Sequence, residues 1–175
     1  MSYIIDNKKA FLDSEYLSIT DEIRFHEEFL KTKDIVHHGL KRYDHNLRVS
    51  YYSYKISKFL HLDYESVARA GLLHDFFLSG SDDVKCVDRV KLIVNHPKLA
   101  LENAREYFAL NEREEDIILT HMFPVSPFIP KYFESFVVDI VDDVVAICER
   151  CYSIRRELSH AMTFSLLIIF NFMKL

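Results

Sequence analysis

Residues 69–77 read Arg-Ala-Gly-Leu-Leu-His-Asp-Phe-Phe, so an imidazole and a carboxylate stand side by side in a run of otherwise small and apolar residues after Arg69. A carboxylate in such surroundings is costly to bury unpaired and needs a cation, a strong set of donors or solvent. Upstream, Val67, Ala70, Gly71 and Leu73 recur at helical spacing, which predicts a helix from about Asp63 to Phe77 with Asp63 as its cap. Downstream, Ser79-Gly80-Ser81-Asp82-Asp83 is turn-prone and ends that helix.

The same periodicity extends outward in both directions. It predicts a helix from about Asp13 to Lys31, on which His26, Glu27 and Glu28 face solvent, and another from Asp44 to Leu60 with Asp44 as N-cap. Further helices are predicted from about Asp82 to Val94 and from Pro97 to Phe108, with Pro97 at a first helical position. Asn111-Glu-Arg-Glu114 has the spacing of a capping box and opens a helix to about Met122. Prolines 124, 127 and 130 interrupt the chain, and helix resumes from Lys131 to about Arg150. Ala161–Met173 is read as a buried C-terminal helix, too short and too interrupted by Thr163, Ser165 and Asn171 to span a bilayer. The expectation is an all-α bundle of seven or eight helices in a single domain over 1–175.

Composition agrees. The 175 residues fit one domain at about 100–200 residues each. Gly39, Gly71 and Gly80 are the only glycines, which excludes phosphate-cradling glycine loops. A formal net charge of −5 is the wrong sign for neutralising phosphates along a nucleic-acid duplex. Three cysteines and no signal-peptide pattern point to a reducing, cytoplasmic setting with no membrane partner; homo-oligomer formation is left open. Cys148 and Cys151 form a C-x-x-C inside a predicted helix and read as ordinary core residues. Tyr51, Tyr52 and Tyr54 read as packing, and the run from Glu112 to Asp116 as a solvated helix start.

Nine histidines are present. His45, His74, His96 and His121 fall one per predicted helix, on an apolar face or near an end, and Asp75 and Asp142 join them. Imidazoles and carboxylates together, without thiolate, suit Zn, Fe, Mn, Ni or Co.

The order His45, His74-Asp75, His96, His121, Asp142 resembles the HD-domain superfamily of metal-dependent phosphohydrolases. Arg69-Ala70-Gly71-Leu72-Leu73 resembles that family's approach to its dyad. Asn95-His96-Pro97 and Thr120-His121-Met122 resemble the extra histidines of dinuclear members, and Ile140-Val141-Asp142-Asp143 resembles the closing motif, with Asp143 left as the alternative. The resemblance covers about 34–150 and implies an all-helical fold, with the N-terminal helix and the apolar C-terminal helix packed on that core. It also implies that His45, His74, Asp75 and Asp142 hold one divalent metal and that Asp75 bridges to a second on His96 and His121. The expected reaction is hydrolysis of a phosphate ester in a small phosphorylated molecule, a nucleotide above all, by hydroxide bridging two metals. Asp75 and His74 are its central residues, and Arg48, Lys98 and Lys131 are candidate cations for the phosphoryl oxygens. No general acid follows the dyad, which keeps a regulatory metal- and nucleotide-binding module as an alternative. A di-iron oxygenase on the same fold is the third reading.

Overall fold

The computed structural model describes residues 7–37, 40–77 and 86–173, with the side chains of 8–9, 36–37, 40, 86–93 and 160–173 outside that description. The turn read at Ser79–Asp83 therefore lies outside the described residues, as does the burial expected for Ala161–Met173.

After a 3-10 turn at Asn7–Leu12, Asp13 caps helix α1 (Ser14–Arg24) by accepting the Tyr16 amide at 3.2 Å. The single helix expected to Lys31 is broken at Phe25. His26 is extended, and its Nδ1 accepts the Glu28 amide at 3.3 Å to start the four-residue helix α2 (Glu27–Leu30), so a ring acts as a cap where periodicity alone suggested continuity. Nor does His26 simply face solvent, since its ring lies against Phe108 at 4.8 Å. A second 3-10 turn, Lys31–Asp34, leads into a two-residue antiparallel ladder, β1 (Val36–His37) with β2 (Leu40–Lys41).

Helix α3 (Arg42–Phe59) starts two residues before Asp44, whose carboxylate accepts instead from Asn7 at 3.1 Å. Asp63 caps α4 (Tyr64–Leu73) as read, through the Ser66 amide and hydroxyl at 3.1 and 2.8 Å. That helix stops at Leu73, so His74 and Asp75 occupy its C-terminal turn. The two helices expected around Val94 and Pro97 are one, α5 (Cys86–Tyr107), with Pro97 in its interior. Burial of Ala100, Leu101 and Ala104 on the core outweighs the one lost helical hydrogen bond. Asn111 and Glu114 make both bonds of the capping box at 2.9 Å and open α6 (Glu112–Thr120). After the proline segment, α7 runs unbroken over Phe133–Met173, uniting two predicted helices. Among the described residues no helix is long and apolar enough to cross a membrane.

The site is placed by the pairing of α3 with α4. A Cβ on Gly71 would meet Ser50 Cα at 2.8 Å, so only glycine allows this approach. Ser50 donates to the Ala68 carbonyl at 2.6 Å, and Asn46 donates to the Leu72 carbonyl at 3.0 Å. Leu47, Val49, Leu72, Leu73 and Phe76 fill the core beneath, each burial contributing roughly 1.5–3 kcal/mol. Tyr16, Tyr51, Tyr54 and Tyr64 pack ring on ring at 5.1–6.2 Å, consistent with a packing role. The acidic start of α6 is not simply solvated. Glu114 is buried and accepts from Arg69 Nε at 2.7 Å. Asp116 accepts from the Lys131 amide at 3.0 Å and from Ser135 Oγ at 2.7 Å, tying α6 to the approach and first turn of α7.

Candidate metal centre

His74 and His121 are placed by the same local device. Each is the residue just past the end of its helix, α4 or α6, and each donates Nδ1–H to the carbonyl three residues back, Gly71 or Ile118, at 2.8 Å. That bond satisfies a helix-end carbonyl, fixes the ring, and leaves Nε2 as the ligating nitrogen of the neutral form. His74 Nε2 is buried with no hydrogen-bond partner.

Two groups of donors form around these rings. In the first, Asp142 Oδ1 lies 2.9 Å from His45 Nε2 and 3.6 Å from His74 Nε2. In the second, His96 Nε2 and His121 Nε2 are 2.9 Å apart, and Asp75 Oδ1 lies 3.3 and 3.8 Å from them. Within each group the three donor atoms fall inside 4.8 Å of one another, the spacing of atoms that share one ion. The His74 and His121 rings touch edge to face with centroids 5.0 Å apart, so the groups adjoin.

Charge distinguishes them. Burial alone would lower His45, but carboxylates on both ring nitrogens outweigh it, Asp142 on Nε2 and Glu149 on Nδ1 at 3.0 Å, and raise it to about 10. Burial opposes ionisation of Asp142, yet the imidazoles of His74 and His45 hold it well below the usual carboxylate range. In the second group, burial together with the neighbouring His74 and His96 lowers His121 to about 3. Asp75 is pulled to about 2, against burial, by His74, His96, His121 and Arg42. Imidazole nitrogens and ionised carboxylates, one nitrogen orphaned, fit a divalent transition metal in each group.

The structure thus gathers His45, His74, Asp75, His96, His121 and Asp142. Asp142 faces the histidines, while Asp143 is exposed. The three expected cations are placed otherwise. Arg48 is buried against Glu149 Oε1 at 2.6 Å, holding the carboxylate that orients His45. Lys98 lies exposed, 3.9 Å from Glu102. Lys131 reaches Asp116 through its backbone amide, and its side chain is exposed. Among the described contacts, neither lysine ammonium joins the six ligands.

Two residues beside the site carried no local sequence motif. Glu149 follows Asp142 by seven residues, two turns along one helix face, and a carboxylate at that buried position was the available signal. Arg42, three residues before His45, sets its guanidinium over the Phe77 ring, donates to the Phe77 carbonyl at 2.5 Å, and lies 3.9 Å from Asp75 Oδ2.

No curated protein and no solved structure matches the chain. The family profile of the HD domain matches residues 42–147, which span all six candidate ligands and more than half of the sequence. The histidine and aspartate order, the all-helical fold and that match agree: the chain belongs to the HD-domain family.

Proposed function

We propose that this protein hydrolyses a phosphate ester in a small phosphorylated molecule, nucleotides being the first class to try, with a divalent transition metal on each donor group. Membership in a superfamily of metal-dependent phosphohydrolases supports the reaction class. The single observation that carries the dinuclear reading is the pair of adjoining three-donor groups in contact through His74 and His121. Two such ions, when bound, supply Lewis acidity toward phosphoryl oxygens and the acidity that makes water a nucleophile at neutral pH.

The chain's own residues prepare that site. Asp75, ionised at any physiological pH, offers Oδ1 to the second group and stands next in sequence to His74 of the first, so one carboxylate is positioned to link them. Glu149, held by Arg48, orients His45 through Nδ1. Arg42, 3.9 Å from Asp75 Oδ2, is the candidate cation for a phosphoryl oxygen. Phe77, buried, packs its ring on His96 with centroids 5.4 Å apart and shields that side of the imidazole from water.

The test is elemental analysis of purified protein together with a panel of phosphomonoesters and phosphodiesters. Two ions per chain are expected, with turnover abolished by chelation, restored by one of Fe, Mn, Co, Ni or Zn, and lost in Asp75→Ala. A chain that takes up no metal, or an Asp75→Ala protein as active as wild type, would overturn the proposal.

A further inference from the structure

Helix α7 is apolar on two opposite faces. Val138, Val141, Val145 and Ser153 are buried against the bundle, whereas Ile140, Val144, Ile147, Cys151, Ile154 and Leu158 are exposed. These last six alternate at four and three residues, the seam spacing of a coiled coil, and a single stripe of that kind normally faces another helix. The cysteines thus depart from the core role expected of them, since Cys151 is exposed within the seam and Cys148 half-buried beside it.

A second feature is independent of the first. From Ile154 to Ser159 every residue is exposed, so α7 leaves the bundle after Ser153 while its backbone stays helical to Met173. A helical stretch that is bare over those six positions is marginal by itself and takes its stability from packing. In sequence the seam spacing runs on through Ala161, Ser165, Ile168 and Phe172.

We propose that the occupant of this seam is a second copy of the same chain, paired antiparallel with its two-fold axis between Tyr152 and Ser153. Charge selects the register. With the axis there, a seam residue i lies opposite seam residue 305 − i of the other copy, and on the flank that carries Arg150 residue i pairs with residue 307 − i. Cys151 then faces the partner's Ile154, and Ile147 faces the partner's Leu158. The flanking Arg150 faces the partner's Glu157, twice by symmetry. Shifting the register by one heptad sets Arg150 against itself or Glu157 against itself. A parallel pair sets Arg150 against the partner's Arg155. The register chosen by charge also puts the axis where α7 parts from the bundle. The exposed Ile154 and Leu158 of each copy then lie against Cys151 and Ile147 of the other, so one arrangement covers both the exposed stripe and the bare turns after Ser153.

Sedimentation of the full chain across a concentration series tests this, with metal content as the check on folding. A dimer is expected. Ile147→Asp with Ile154→Asp raises its dissociation constant by at least ~100-fold while metal content stays at the wild-type level. Arg150→Glu alone weakens association about tenfold, and adding Glu157→Arg restores it to near wild type. A wild type monomeric at about 100 μM, a monomer that instead partitions onto lipid vesicles, or a double charge swap that fails to restore pairing would overturn the proposal. Rapid Cys151–Cys151 cross-linking under mild oxidation would overturn it too, because it reports a parallel pair.

Discussion

The two donor groups have the same ligand types, two imidazoles and one carboxylate, yet their surroundings differ. His45 of the first is gripped by carboxylates on both nitrogens, with Arg48 behind one of them, and is raised to about 10. His121 of the second bonds only its own helix carbonyl on the far side and is lowered to about 3. One group is an ion-pair network that holds a proton where a metal would go. In the other, His121 is uncharged beside a single ionised carboxylate, Asp75. Ligand identity therefore does not decide how a site behaves when empty; the atoms behind the ligands do.

Removing one ligand from each side should break the symmetry most visibly. Asp142→Ala and His121→Ala are each expected to retain one ion of two and to lose turnover by about 10³-fold or more, since each removes several kcal/mol of charge stabilisation. Their metal-free proteins should part company. Asp142→Ala leaves His45 with one carboxylate and should melt well below wild type, while His121→Ala removes an uncharged ring and should cost less. Elemental analysis and melting curves of chelated protein check both halves, and equal melting temperatures would show that the charge contrast has no energetic weight.

Glu149 is the sharper probe because it touches no proposed ion directly. Glu149→Gln should weaken metal binding about 10–100-fold at the first group only, as the loss of a carboxylate behind a ligating histidine does, and leave the second titration step unchanged. Competition with a chromogenic chelator reads the two steps separately. A uniform loss at both steps would mean that Glu149 holds up the bundle rather than His45.

What could be read from the sequence divides along the same physical line. Ligands that sit on separate helices and interrupt apolar faces, such as His74 and Asp142, stand out because an apolar stretch has no other use for them. The caps at Asp63 and Asn111 are legible because a cap is a local bond between neighbours in sequence. Glu149 carries no signal in the sequence and Arg48 reads only as a candidate cation, since their pairing rests on a contact between α3 and α7 across about a hundred residues. Continuity through Pro97 and the break at His26 were misread for the same reason. Each is decided by packing, of Ala100 and Ala104 in one case and of Phe108 in the other, rather than by local propensity.

The pH dependence of metal uptake should follow the contrast directly. His45, raised above its ordinary value, must release a proton before it ligates, so affinity at the first group should rise about tenfold per pH unit through neutrality and level off near 10. His121 is already neutral there and adds no such slope to the second step. Without metal the linkage has a definite sign: a histidine with a raised folded value stabilises the fold fully below about 6.5, and that contribution is lost as pH rises toward about 10. Calorimetry in buffers of different ionisation enthalpy counts the protons released. Equal release at both steps would remove the distinction between the groups.

The smallest expected effect belongs to Asp139, a turn before Asp142 on α7. It is buried, and burial together with the charges of Asp143 and Asp142 raises its carboxyl to about 7. In the unfolded chain it titrates near 3.8, so this residue costs stability progressively as pH climbs from about 4 to 7, with the full penalty above that. Asp139→Asn removes the charge without much change of shape, and should raise the melting temperature of metal-free protein on the order of a few degrees at pH 8 and not at all near pH 4. A cation against Asp142 would cancel that carboxylate's share of the field at Asp139 and leave the larger share from Asp143. The gain should therefore shrink when the first group is loaded, while occupancy of the second, on the far side of His74 and His121, should alter it less. A gain that ignores loading would assign the penalty to burial and leave Asp139 no part in sensing the first group.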